Sequence, residues 1–278
     1  MKFQDQIKAH LSRYKHSYFP ESENGTWSRN KNVIPLTYAF TKKDKHLNLI
    51  QDYRHSFLES KFIFGKRPIK LHMYFNHLNS SQAMCINFFY PLIIEEKLDL
   101  IAEYLGFTNE SIDYDSAEFE KDSEIDSQGG RRPTNFDFYF RTNSGKHFFF
   151  EIKYTENKFG PCSDDDEHRD KYAKVYVPNL GPIEANYREV KAFFKNYQII
   201  RNLIHVGKDK YVVFLYPVKN KKIKEGAAKA NNEILKKAYH SNFFDRHWKD
   251  IYQFVDDRIT GRDLKKQLNS FKEKYFID

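Results

Sequence analysis

The chemistry this sequence offers is concentrated in Asp137, Glu151 and Lys153. Glu151 and Lys153 close the run His-Phe-Phe-Phe-Glu-Ile-Lys (147–153), and two residues apart on a strand they project from the same face. Asp137 lies in Asn-Phe-Asp-Phe-Tyr-Phe-Arg-Thr (135–142), and the intervening Asn143-Ser144-Gly145 is the polar turn of a β-hairpin. A turn centred on Ser144 sets position 137 opposite position 151, where cross-strand neighbours on one face stand about 5 Å apart. Two carboxylates facing each other repel. A divalent cation between them removes the conflict, and an adjacent ammonium group suits a phosphate or an attacking water.

The triplet of an acid, any residue and lysine is weak by itself, since it begins here at Glu59, Glu95, Glu151, Glu156, Glu189 and Asp263. Only the copy at Glu151 sits inside an apolar strand with a second carboxylate at hairpin register. The competing reading is a surface hairpin with a solvated Glu–Lys pair, which would contribute little.

A sheet and its covering helices must hold these residues, and the apolar periodicity supplies both. Asn79 or Ser80 caps a helix that Pro91 interrupts, and a second helix follows to Leu105 with Gly106 as its stop. Residues 112–120 read as a strand. Beyond the hairpin, Val190, Phe193, Tyr197, Ile200 and Ile204 step by three and four through a helix spanning 184–205, with Gln198 and Arg201 beside the stripe. Tyr-Val-Val-Phe-Leu-Tyr (211–216) is a buried strand ended by Pro217. The order αβββαβ predicts an α/β, or mixed α+β, sheet with helices against it.

Around this core, residues 1–75 read as a basic extension, with helices at 1–19 and 45–57. Trp27, Arg29 and Lys31 lie in a loop between them and offer either DNA contact or a plain anchor. Residues 218–278 read as a basic helical region with helices near 225–239, 245–256 and 262–275. All three segments (1–75, 76–217 and 218–278) are expected to form one compact unit.

Charge follows the same division: net +8 over residues 1–75, −7 over 76–204 and +7 over 205–278. An acidic centre between basic ends suits a metal site with arms that hold a polyanion. The pair Arg131-Arg132 and the lysines at 219, 221, 222 and 224 either contact phosphate or are simply solvated. Cys85 and Cys162 alone make neither a disulfide framework nor a zinc site. The acidic run 164–167 lacks the glycine and spacing of a calcium loop, and His72 and His77 are spaced onto different faces. With no long apolar run and no signal-like N-terminus, the expectation is a cytoplasmic protein that does not enter a membrane.

The order of elements, with Asp137 and Glu151-Ile152-Lys153, resembles the PD-(D/E)XK nuclease superfamily. Phe136-Asp137 stands here for the superfamily's Pro-Asp. A closer resemblance, to a bacterial restriction-endonuclease branch, runs from about residue 45 to 205. It is carried by Asn79-Ser80-Ser81-Gln82-Ala83-Met84, Thr134-Asn135-Phe136-Asp137-Phe138, Glu151-Ile152-Lys153-Tyr154-Thr155-Glu156 with Phe159-Gly160, and Tyr197-Gln198-Ile199-Ile200-Arg201-Asn202.

The resemblance implies a restriction-endonuclease-like αβββαβ core with helical N- and C-terminal additions. It further implies that Asp137, Glu151 and the Ile152 carbonyl hold Mg²⁺ (or Mn²⁺), with Lys153 completing the catalytic set. Gln82, Glu156, Gln198 and Arg201 would sit around the site, and Glu95, Glu96 or Glu103 would supply a further acid. The function so implied is cleavage of double-stranded DNA by a type II restriction enzyme, a homodimer with a companion DNA methyltransferase. The alternatives are a less sequence-specific defence or repair nuclease, and a non-catalytic nucleic-acid-binding module on the same fold.

Overall fold

The computed structural model describes residues 1–29, 32–126 and 133–277; Lys31 and the Arg131-Arg132 pair lie outside them. In chain order the principal elements begin with α1 (Phe3–Tyr18), β1 (Gly25–Arg29), β2 (Asn32–Leu36), α2 (Gln51–Leu58), α3 (Lys61–Phe64), α4 (Ser81–Ile94) and α5 (Asp99–Tyr104). There follow β3 (Ile112–Asp122), β4 (Asn135–Thr142), β5 (His147–Ile152), α6 (Asp166–Lys171), α7 (Val190–Lys195), α8 (Tyr197–Leu203) and β6 (Lys210–Tyr216). The chain ends with α9 (Lys221–Lys229), β7 (Phe243–His247), α10 (Trp248–Asp256) and α11 (Arg262–Tyr275). No helix among the described residues is long and apolar enough to cross a membrane.

The chain divides into two compact units, Met1–Tyr104 with Lys249–Asp278, and Leu105–Trp248. The expected boundaries near 75 and 217 both fall inside units, and α4 belongs to the first unit while the five-stranded sheet belongs to the second.

In the first unit, Ser80 caps α4 by accepting from the Ala83 N–H, and every residue from Gln82 to Ile93 is buried. A helix apolar all round belongs in a core. Pro91 was expected to break this helix, yet α4 runs on to Ile94. Proline cannot donate to the carbonyl four residues back, and Gln267 of α11 takes its place, its Nε2 donating to Asn87 O at 2.9 Å. Asn87 itself accepts from Ile50 N–H and donates to Asn48 O, so this unit has a hydrogen-bonded polar hub within its core.

The second unit is a five-stranded mixed sheet in the order β3-β4-β5-β6-β7. β3, β4 and β5 pair antiparallel; β5, β6 and β7 pair parallel. The hairpin has the expected register: Phe138 faces Phe150 and Arg141 faces His147, with Gly145 at φ +87° in the turn. Phe136, Tyr139, Phe149, Val212 and Phe214 bury one face of the sheet with Phe193, Ile200 and Leu203 of α7 and α8. Gly226 of α9 lies so close to Phe159 that a Cβ there would stand 2.7 Å from the ring.

Further expectations need correction. The helix expected over 184–205 is two short helices, broken at Asn196, whose φ of −113° and ψ of 27° leave the helical region. The helix expected from 245 starts only at Trp248, because residues 243–247 pair with β6 as a fifth strand. Local pattern could not show that pairing, which depends on a partner strand some thirty residues away.

Candidate active site

β4 and β5 bring Asp137 and Glu151 to one place. Continued by one residue, the observed pairing of Phe138 with Phe150 sets 137 against 151. Asp137 sits where the ladder ends, and its Oδ2 accepts the Ile152 N–H at 2.6 Å. Lys153 follows directly, its own N–H bonded to Leu215 O and its carbonyl accepting from Trp248 Nε1. The backbone on both sides of the site is therefore pinned to the sheet.

Glu151 is 4% exposed and each of its oxygens has protein partners. Oε1 is 2.6 Å from Lys153 Nζ and accepts from Gln198 Nε2 at 2.8 Å. Oε2 accepts from Asn202 Nδ2 at 2.9 Å. Gln198 and Asn202 stand one turn apart on α8, so both amides point from the same face of the helix. Gln198 also accepts the Gly160 N–H at 2.9 Å, which ties the Phe159-Gly160 stretch to the carboxylate.

The electrostatics are those of acids crowded beside one cation. Asp137 is part-buried, and loss of solvent at its carboxyl is the first cause raising its pKa well above the usual carboxylate range. The charges of Glu151 and Glu120 add to it, while Lys153 and the Ile152 N–H pull the other way. For Lys153, burial disfavours the ammonium form, but Glu151, Glu156 and Asp137 outweigh burial and hold its pKa above the ordinary lysine value. The ammonium group also lies 5.6 Å from the centre of the Phe159 ring.

The other residues singled out in the sequence have partners of their own. Glu156 accepts the Tyr154 N–H at 2.6 Å and reaches Lys153 through space. Arg201 is turned to another cluster: Nε donates to Thr134 Oγ1 at 2.7 Å, the guanidinium stacks on Tyr197, and Nη2 is 3.5 Å from buried Asp126. Gln82 lies in the first unit, bonded to Lys70 O and His72 N–H. There too Glu95 accepts from Tyr53 OH at 2.6 Å, and Glu103 is 3.4 Å from Arg258.

Two residues near the site escaped the sequence reading. Asn202, 1% exposed, was legible as the residue four after Gln198 on a helix. Glu120 was not: it is on β3 with φ +53°, between residues 119 and 121 that face 138 and 136. Glutamate seldom adopts that backbone region, and such outliers gather at functional sites.

Among the described residues no cluster of three or more His, Cys, Asp or Glu is arranged to hold a metal. The two-acid centre nevertheless fits a hard divalent cation. Asp137, Glu151 and the Ile152 carbonyl are all oxygen donors, and the charges of Glu151 and Glu120 act on Asp137 with Lys153 opposing them. Mg²⁺ suits such a site because it keeps several waters and takes only one or two carboxylates.

No curated protein and no solved structure matches this chain significantly. A family model does, over residues 8–276. By that near-complete match the chain belongs to the family described as restriction endonuclease associating with ARP, which points to a nuclease and to DNA as its substrate.

Proposed function

We propose that this protein is a Mg²⁺-dependent endonuclease that cleaves phosphodiester bonds of double-stranded DNA. Its centre has the PD-(D/E)XK arrangement, and within that reading it is a type II restriction enzyme of the cytoplasm, acting as a homodimer on sites that a companion DNA methyltransferase protects. The observation that carries the reading is Asp137 and Glu151 at one register position, with Lys153 on Glu151 and two amides of α8 fixing that carboxylate.

Asp137, Glu151 and the Ile152 carbonyl would hold the cation, which when bound lowers the pKa of water and neutralises charge on the phosphate. Gln198 and Asn202 keep Glu151 in one orientation, so the acid need not reorganise during the reaction. Lys153 orients the attacking water or meets the charge developing on the phosphate oxygens. Water attacks phosphorus in line with the departing 3′ oxygen, which leaves a 5′-phosphate and a 3′-hydroxyl. The family description also names an associate, ARP, and a partner of that kind belongs to the same reading.

Phage DNA incubated with purified protein and Mg²⁺, followed by end mapping, tests this. Discrete fragments with 5′-phosphate ends support restriction; a smear supports a less specific nuclease. Asp137→Ala or Lys153→Ala cutting as fast as the parent rejects the assigned centre, and binding without cleavage in Mg²⁺ or Mn²⁺ favours a non-catalytic module.

A further inference from the structure

Gln82 belongs to the motif that opens α4, yet nothing in the chemistry above uses it. Its side chain is 3% exposed and holds the preceding segment at two points, accepting the His72 N–H at 2.8 Å and donating to Lys70 O at 3.2 Å. A third tie, Ile69 N–H to Phe62 O at 2.8 Å, folds residues 63–68 into a turn. Phe62 anchors the base of that turn: it is buried, with its ring 6.4 Å from Phe57 and 6.0 Å from Tyr90. A buried glutamine spent on two loop backbone groups indicates a loop whose shape matters.

What the segment presents is unusual. Phe64 is 76% exposed, Met73 71% and Tyr74 51%. Lys66, Arg67 and Lys70 are exposed among them, and among the described residues no carboxylate pairs with any of the three. No Asp or Glu occurs between Glu59 and Glu95. Large apolar groups left in water mark an interaction surface, and a cationic stretch with no acid of its own favours a polyanion.

We propose that the 63–74 segment is a DNA-contact loop, with Lys66, Arg67 and Lys70 on backbone phosphates and Phe64, Met73 and Tyr74 against the deoxyriboses. Phosphate contacts supply affinity and register, while apolar side chains pack on the sugars whatever the sequence. The loop gives sequence-tolerant grip. This inference rests on reading the protein as one that acts on DNA.

The test is fluorescence anisotropy of the full chain with a labelled DNA duplex in EDTA, repeated over a range of salt concentrations. The triple variant Lys66→Ala/Arg67→Ala/Lys70→Ala should bind roughly tenfold or more weakly, and its slope of log affinity against log salt should flatten by about 2 to 3. Phe64→Ser should weaken binding with the parental slope, since that side chain displaces no counterion. All these side chains are exposed, so unchanged thermal melting is the control for folding. Parental affinity and slope in the triple variant overturn the proposal, as does a parent that fails to bind DNA at low salt; an acidic protein partner would then be the occupant to seek. Loss of binding in the triple variant of a parent that never cleaves leaves the loop assigned and removes the nuclease reading. Discrete cleavage by a parent whose triple variant binds as before does the reverse.

Discussion

Asn202 Nδ2 donates to Glu151 Oε2 at 2.9 Å, with both side chains almost wholly withdrawn from solvent. One turn earlier on α8, Gln198 holds the other oxygen of the same carboxylate. A buried carboxylate gripped on both sides cannot rotate, so α8 sets where its charge points.

Asn202→Leu keeps roughly the same volume and removes the donor. Leaving a buried acceptor without its partner costs about 1–3 kcal/mol, which urea denaturation will read. A Glu151 free to shift by about 1 Å should lower the cleavage rate about a hundredfold. Asn202→Asp, which adds a like charge, should be worse on both counts. Parental cleavage by the Asp variant would show that the clamp has no part in the reaction.

Asp137→Asn should raise the melting temperature of the metal-free protein at neutral pH. The sign follows from the raised pKa of Asp137 in the folded state. An acid so placed loses stability as pH rises from the ordinary carboxylate range toward the folded pKa, and an amide has no such loss. Mg²⁺ should separate the two proteins further. At about 100 times its dissociation constant it should stabilise the parent by about 2.7 kcal/mol and leave Asp137→Asn unmoved. Equal metal response would place the cation elsewhere.

His205 predicts a loss of stability in acid. Burial is the first cause that lowers its pKa to about 4, against a usual value of about 6.5. Its Nε2 lies 2.6 Å from Ser123 Oγ and its ring meets the edge of Phe136. Between these two pH values the unfolded chain binds a proton that the folded chain refuses, so stability falls as pH drops through that window. The full effect is roughly 3 kcal/mol. Urea midpoints measured from pH 7 down to pH 4 should show it, and His205→Gln should flatten the profile over that range.

Gln267 and Pro91 should be coupled. Gln267→Leu strands the Asn87 carbonyl that Pro91 cannot serve, at a cost of about 1–3 kcal/mol. Pro91→Ala returns a backbone N–H in position to reach that carbonyl, so it should recover much of the loss in the Gln267→Leu background while changing the parent far less. A double-mutant cycle on chemical denaturation measures the coupling, and strict additivity would refute it.

The sequence by itself determined the hairpin, its register and the face on which Asp137, Glu151 and Lys153 meet. All of that follows from the two-residue period of strands and from one short turn, and every partner lies within twenty residues. It also determined the order of α4, β3, β4, β5 and β6, and it marked Gln198 as a residue near the carboxylates. The tertiary structure alone decided which long-range partner each side chain found. Glu120 approaches Asp137 because β3 pairs beside β4 with a positive φ at that residue. Arg201 turned to Asp126 although it shares a short helix with Gln198. Pro91 stayed inside its helix because a glutamine 176 residues later replaced the missing donor, and residues 243–247 became a strand because β6 offered an open edge. Periodicity reports the face a residue occupies; which groups come to that face depends on packing between segments distant in the chain, and no local pattern records it.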